Sequence, residues 1–213
     1  MTTRAAGTAG LRERKKRATR EALRGAALRL ALEHGPQNVR VDDIAEAAGV
    51  SPRTYNNYFS SREQAIVAAI TAERETRIGQ AVAARPAGVR LADAVIDGVV
   101  EQYTDPGEHA REAMLLVTTS PALRRAFVGT TTALKRPLAD AIADRVGDGN
   151  PCTAHVLAAS VAAAIQVALE RWLQPGNAPA ATGGLVVPSG SLPDLLRSAL
   201  APLAPALDAA EAS

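Results

Sequence analysis

The sequence predicts an all-α protein of about nine helices, and three observations predict it. Hydrophobic residues fill 47% of the 213 positions while aromatic residues fill only 3%. A core made largely of Ala and Leu suits closely packed helices better than sheets. Apolar residues recur at helical spacing, three and four apart, along most of the chain. Gly and Pro fall between these periodic stretches and punctuate them. Val186 and Val187 form the only β-like stretch, which is too short to build on, and there is no internal repeat.

The elements follow in order. Residues 1–11 are small and polar, a composition that does not fold by itself. The dense basic run RERKKR at 12–17 comes next, so residues 1–18 read as a flexible basic arm. The first helix is expected from about Thr19 to Gly35, with Leu23, Ala27, Leu30 and His34 on one stripe that Ala26 and Ala31 widen. Gly35-Pro36 ends it, because Gly suits the position after a helix and Pro cannot continue one. A second, short helix runs from Val41 to Ala48, carried by Val41, Ile44, Ala45 and Ala48. Asp42 and Asp43 lie in its first turn, where the helix dipole favours negative charge. Gly49 breaks it. Ser51 is a good N-cap and Pro52 a good first residue, so a third helix starts there and reaches Tyr58 or Phe59. Ser61-Arg62-Glu63-Gln64 reads as a capping box, in which Ser61 caps and Gln64 reaches back. It opens a long, unbroken fourth helix to about Ala84.

Later helices are expected near 90–103, 108–119, 121–146 and 153–174, separated by Pro106-Gly107, Ser120-Pro121 and Gly147 to Pro151. Residues 175–191 are rich in Pro, Gly and Ser and read as a flexible loop. The last helix begins near Leu192, and Pro202 and Pro205 kink it or end it near Ala201.

Composition and charge narrow the function. No run of 18 apolar residues is present, which argues against a membrane span. The basic N-terminus lacks the apolar stretch of a secretory signal. Cys152 is the single cysteine, which excludes an internal disulfide framework and fits a reducing, cytoplasmic setting. The net charge of +2 hides an asymmetry. Residues 1–62 carry 12 Lys and Arg against 6 Asp and Glu, a net of +6, whereas residues 63–213 carry 12 against 16, a net of −4. A basic head on a mildly acidic body points to a polyanion at the head.

Two helices joined by a short Gly-containing turn make the helix-turn-helix plan, whose second helix enters the major groove of DNA. The second helix here begins at Ser51-Pro52. Half of the chain's six aromatic side chains lie just inside it, at Tyr55, Tyr58 and Phe59. Tyr55 and Phe59 are four apart and are expected to anchor the helix to its neighbours. Arg53, Thr54, Asn56, Asn57 and Tyr58 are expected at the surface. Arg suits the O6 and N7 of guanine, and Asn can pair with adenine. Thr, Tyr and Arg62 suit phosphate oxygens, which set register but carry no sequence information.

The stretch from Thr19 to Ile66, with DDIAEAAGVS, a Thr-aromatic pair and YF-x-S-R-E at characteristic spacing, resembles the TetR family of bacterial transcriptional regulators. The resemblance implies a helix-turn-helix DNA-binding domain at 19–62 and a variable ligand-binding and dimerisation domain at 63–213. It also implies a homodimer that binds a palindromic DNA operator, represses by default, and is released by a small effector. Carried onto this sequence, it places Thr54, Tyr58 and Arg62 at phosphates and Arg53 and Asn57 at bases. Asn56 departs from the family, which commonly has Tyr or Phe there. Arg40 departs too, standing where a capping Thr is usual; Arg accepts no hydrogen bond and its charge opposes the dipole, so a phosphate contact is its expected use. The basic arm resembles those that relatives lay along DNA, against an equal claim that it is a plain solvated charge run.

In the body, HAREAMLLVTTSPALRRAF and ALERWL resemble an actinobacterial group of regulators, some of which respond to lipophilic or acyl-CoA compounds. Tyr103, Met114, Leu116, Phe127 and Trp172 are the candidate lining of an apolar cavity, although such residues are more often ordinary core. Val156, Ala159, Ser160, Ala163, Ala164 and Val167 make a small-residue face on the eighth helix. With Leu192, Leu195, Leu196, Ala199 and Leu203 on the ninth, it is the expected dimer interface. No metal or cofactor is expected: His109 and His155 lack a ligand-spaced partner, and Cys152 reads as a passive thiol in a Pro-flanked loop. The competing readings are an all-helical enzyme and an architectural DNA-binding protein. The first lacks any nucleophile, metal or phosphate-loop motif, and Asp140 and Asp144 have the spacing of a solvated helix surface. The second has no use for the base-capable Arg53, Asn56 and Asn57.

Overall fold

The structure is a computed structural model that describes residues 3–212 apart from 73, 87, 105–109, 148–150 and 175–189. Among the described residues it is all-α, with no strand. The chain divides into two compact units, Met1–Ile70 and Thr71–Ser213.

The first unit holds α1 (Thr3–His34), α2 (Val41–Ala47), α3 (Pro52–Asn56) and most of α4 (Arg62–Thr71). α1 starts well before the expected Thr19. Residues 4–18 are mostly Ala, Arg, Lys, Leu and Glu, all strong helix formers, and contain no Pro, so nothing stops the helix from extending backward. Leu23, Ala26, Ala27 and Ala31 are buried as expected, but Leu30 is half-buried and His34 exposed. Gly35 closes α1, donating to the Ala31 carbonyl, and the Asn38 side chain donates to the His34 carbonyl at 2.7 Å. Ile44 and Ala45 of α2 are buried, and α2 packs on both α1 and α3.

The compact unit ends at Ile70 and not at the expected 62. The start of α4 is bound into it: the Tyr55 hydroxyl donates to the Ser61 carbonyl, and Arg62 donates to the carbonyls of Gln37 and Val39. The cap at Ser61 forms, since its Oγ accepts from the Gln64 N–H at 3.2 Å. Gln64 reaches back one residue further than a standard box, to the Ser60 N–H.

The second unit holds α5 (Arg74–Ala83), α6 (Leu91–Thr104), α7 (Ala110–Thr119), α8 (Pro121–Gly129), α9 (Lys135–Val146), α10 (Pro151–Trp172), α11 (Leu192–Leu200) and α12 (Ala204–Glu211). Three expected helices are broken. The fourth splits into α4 and α5, although its sequence holds no Pro; the break falls where one compact unit gives way to the next. The expected 121–146 helix tightens into a 3-10 turn at Thr130–Leu134. There the hydroxyls of Thr130 and Thr131 donate to carbonyls three residues back, and Pro137 has no N–H with which to continue an older turn. The last helix gives a 3-10 turn at Ala201–Leu203 and then α12, as its prolines require.

α10 packs on α9 and α11, while α5 packs on α6 and α9. Gly79 permits the second of these approaches: a Cβ there would lie 3.0 Å from the Pro137 carbonyl oxygen. α10 is long and apolar enough to cross a membrane by length and composition, although it holds no unbroken run of 18 apolar residues. It is a core helix instead, because Ala154, Leu157, Ala158, Val161, Ala162, Ile165, Ala168 and Leu169 are buried against its neighbours. Cys152 is exposed on the first turn of α10 and not in a loop. His155 is exposed beside it, and His109 lies outside the described residues. Asp140 and Asp144 are exposed on α9.

The C-terminus is clasped onto the body by charge. Glu211 accepts from the Leu91 N–H at 2.7 Å, and Asp208 accepts from the Ala92 N–H at 3.1 Å. Two carboxylates from α12 thus satisfy free N–H groups at the start of α6, where the helix dipole favours them. Arg145, nearly buried, pairs with Glu211 at 2.6 Å and also donates to the Val89 and Arg85 carbonyls.

Candidate DNA-binding face

The turn between α2 and α3 is closed by Gly49, which takes φ +68°. Its N–H meets the Glu46 carbonyl and the Val50 N–H meets the Ala45 carbonyl. This Schellman pattern ends α2 within one residue and lets α3 start three residues later. Ser51 caps α3, accepting from the Thr54 N–H at 3.1 Å, with Pro52 following as the first helical residue. Ser51 and Pro52 are exposed at this end. Arg40 precedes α2 and, as expected, supplies no side-chain cap. Its backbone N–H instead donates to the Asp43 carboxylate, which leaves the exposed guanidinium unused by the cap.

α3 is shorter than expected, ending at Asn56 with Asn57 as its C-cap. The division of its side chains is as the spacing required. Tyr55 is fully buried and Phe59 nearly so, their rings 5.9 Å apart. Arg53, Asn56 and Asn57 are exposed, while Thr54 and Tyr58 are half-buried. Burial pushes the Tyr55 hydroxyl up to about 12, with the nearby Glu63 carboxylate adding to the rise. The Thr54 hydroxyl is within 2.9 Å of the Ser51 hydroxyl, which holds it beside the cap.

Arg62, expected at a phosphate, is half-buried and also bonds within the head. Its Nη1 donates to Val39 at 2.7 Å and to Gln37 at 3.0 Å, and its Nε donates to Glu63 at 2.9 Å. It ties the α1–α2 connection to the start of α4. Burial would raise the Glu63 carboxyl, but hydrogen bonds, chiefly from Arg62, outweigh it and hold the group below the usual range. On α1, Arg12, Lys16 and Arg20 are exposed and four residues apart, so they share one face. Arg20 lies over the Phe59 ring at 5.4 Å, which puts the end of that basic stripe beside the segment following α3.

In the body, two of the five candidate cavity residues come together. Tyr103 and Phe127 are both buried, and the guanidinium of Arg74 lies over them at 4.2 and 5.5 Å from the ring centres. Met114 and Leu116 on α7 and Trp172 at the end of α10 are half-buried. Two surface depressions of about 350 and 480 Å³ are lined by other residues, among them Arg77, Arg85 and Glu101 in the first and Arg124, Gln166 and Glu170 in the second. Arg74 is the functional candidate that sequence reasoning missed, because an Arg opening a helix looks like any solvated surface cation.

Residues 23–69 match the family model described as "Bacterial regulatory proteins, tetR family". Residues 85–208, more than half of the chain, match the one described as "MftR C-terminal domain", a TetR-type C-terminal model. The chain belongs to the TetR family. Among relatives, the TetR-family chain is similar to the HTH-type transcriptional regulator TcmR of Streptomyces glaucescens, with 34% identity over 149 residues that cover 65% of each. It is also similar to the HTH-type transcriptional regulator BetI of Rhizobium meliloti (strain 1021), with 45% identity over 51 residues, 24% of this chain and 25% of BetI. The matched stretches therefore span just under two-thirds of TcmR and a quarter of BetI. A TetR-family transcriptional regulator from Streptomyces coelicolor aligns over 91% of this chain and 82% of its own, with TM-score 0.42 and 17% identity, too slight a likeness to bear on function.

Proposed function

We propose that this TetR-family chain is a DNA-binding transcriptional regulator that binds a palindromic operator as a homodimer and is released by a small effector. The observation that carries the reading is α3. A five-residue helix, capped by Ser51 and pinned from behind by Tyr55 and Phe59, presents Arg53, Asn56 and Asn57 to solvent. Those side chains fit base edges, Thr54 and Tyr58 fit phosphates, and Arg40 and the basic face of α1 add positive charge. Family membership supports the same assignment, with repression as the family's default and the cytoplasm as the place of action.

One helix-turn-helix reads few base pairs, and a two-fold dimer doubles the site. α10 supplies a face for it. Val156, Ala163 and Val167 are exposed, and Ala159, Ser160 and Ala164 are half-buried, on a helix whose other side is already core. A second copy would cover this apolar strip together with Leu195, Ala199 and Leu203, all half-buried. An effector that favours one arrangement of the dimer would change the spacing of the two α3 helices. Successive major grooves demand about 34 Å between them.

Selection of bound genomic duplexes by the purified protein tests the reading, with random duplex at the same salt concentration as the control. A preferred palindrome bound at two chains per site is the expected result. Equal affinity for selected and random duplexes would leave an architectural DNA binder, and no duplex binding at all would reject DNA as the partner.

A further inference from the structure

We infer that Arg74 is the anchor for a ligand's carboxylate, so that the body takes an organic acid beside Tyr103 and Phe127. This rests on the reading of the body as an effector-binding unit and names the chemistry of the effector. Arg74 is the first residue of α5, and its guanidinium lies over the rings of Tyr103 from α6 and Phe127 from α8. Its Nε donates to the Gln102 carbonyl at a long 3.3 Å. Its Nη1 is shut off from solvent and has no hydrogen-bond partner.

The contrast with Arg145 is instructive. That arginine also leaves water, but it meets the Glu211 carboxylate and two backbone carbonyls. Arg85 also has a buried nitrogen without a partner, its Nε, but it pairs with Glu101; Arg90 pairs with Asp93 and Asp208, and Arg197 with Asp194. Among the described side chains no carboxylate answers Arg74, and burial lowers its affinity for its proton, with Tyr103 only partly offsetting this. A guanidinium nitrogen buried without a partner is costly, and an anion that reached it would offset that cost.

The chemistry of that partner follows from the geometry. All the N–H groups of a guanidinium lie in its plane, and Nε and Tyr103 use part of that edge while Nη1 is left for a partner. A planar carboxylate matches that edge with two parallel hydrogen bonds. One guanidinium matches one negative charge, so a monocarboxylate fits better than a polyphosphate. The rings of Tyr103 and Phe127 supply an apolar wall for the rest of the acid.

The test uses the full-length protein. Its melting temperature is measured in acetate, benzoate and hexanoate, each against its neutral amide at matched ionic strength, and repeated with Arg74→Met and Arg74→Lys. At least one acid is expected to raise the wild-type midpoint above its amide by more than about 2 °C, with a weaker excess in Arg74→Lys and none in Arg74→Met. Arg74→Gln serves the same comparison should Arg74→Met not fold. No excess for any acid, or an excess retained without the guanidinium, overturns the proposal. Operator binding is measured in parallel: intact binding with no preference for acids rejects the role of Arg74 alone, while failure to bind any operator rejects the regulator reading instead.

Discussion

At the scale of single residues, the head separates anchors from readers within a few positions. Tyr55 and Phe59 are buried while Arg53, Asn56 and Asn57 between and before them are exposed, because a helix puts residues four apart on one side. Arg53→Ala and Asn57→Ala should each weaken operator binding by about 1–3 kcal/mol and relax the preference at one base pair. Titration against single-substituted operators checks this; an unaltered preference in Arg53→Ala would remove it from the bases. Arg62 behaves otherwise. Its Nε and Nη1 are used by Glu63, Gln37 and Val39, so Arg62→Met should lower the stability of the head by about 1–3 kcal/mol. The slope of log affinity against log salt should stay the same, whereas loss of a true phosphate contact would reduce it by about one. The exposure of α3 was legible in the sequence because it depends on spacing alone. The tie from Arg62 to Gln37 and Val39 was not, because those two carbonyls lie more than 20 residues away in the chain.

At the scale of elements, caps and breaks decide where each helix may point. Gly49 holds φ +68° with open space around its Cα, so a side chain there meets backbone strain and no clash. Gly49→Ala should therefore cost about 1–2 kcal/mol and weaken DNA binding by tilting α3, while Gly49→Asn should cost less. Denaturant melts of the three proteins check the order. Helix starts at Ser51 and Ser61 were readable because a cap is a local hydrogen bond between neighbours. The end of α4 at Thr71 and the 3-10 turn at Thr130–Leu134 were not. No Pro or clustered Gly marks the first, and the second arises from threonine hydroxyls competing for helix carbonyls, a choice that packing resolves.

At the scale of the whole molecule, the body is closed by a clasp between distant parts of the chain. Glu211 is held below the usual carboxylate range by Arg145 first and by the Leu91 N–H, against an opposing effect of burial. A carboxyl depressed in the folded state contributes stability above its unfolded value of 4.5, and that stability is lost as pH falls through the lower folded value. Melting should thus drop on acidification below about pH 4.5, and Glu211→Gln should melt lower near neutral pH but show a shallower acid dependence. Glu63 in the head shifts in the same direction, so it is the difference between wild type and Glu211→Gln that reports on the clasp. By itself the sequence determined the helical class, the helix-turn-helix with its caps, and the outward residues of α3, since each rests on short-range periodicity or hydrogen bonding between near neighbours. Only the tertiary structure decided that α12 caps α6, that Arg62 ties the head, and that Arg74 lies over Tyr103 and Phe127 with no carboxylate on it among the described side chains. Burial and pairing of charge depend on which distant segments fold against each other, and no local pattern encodes that.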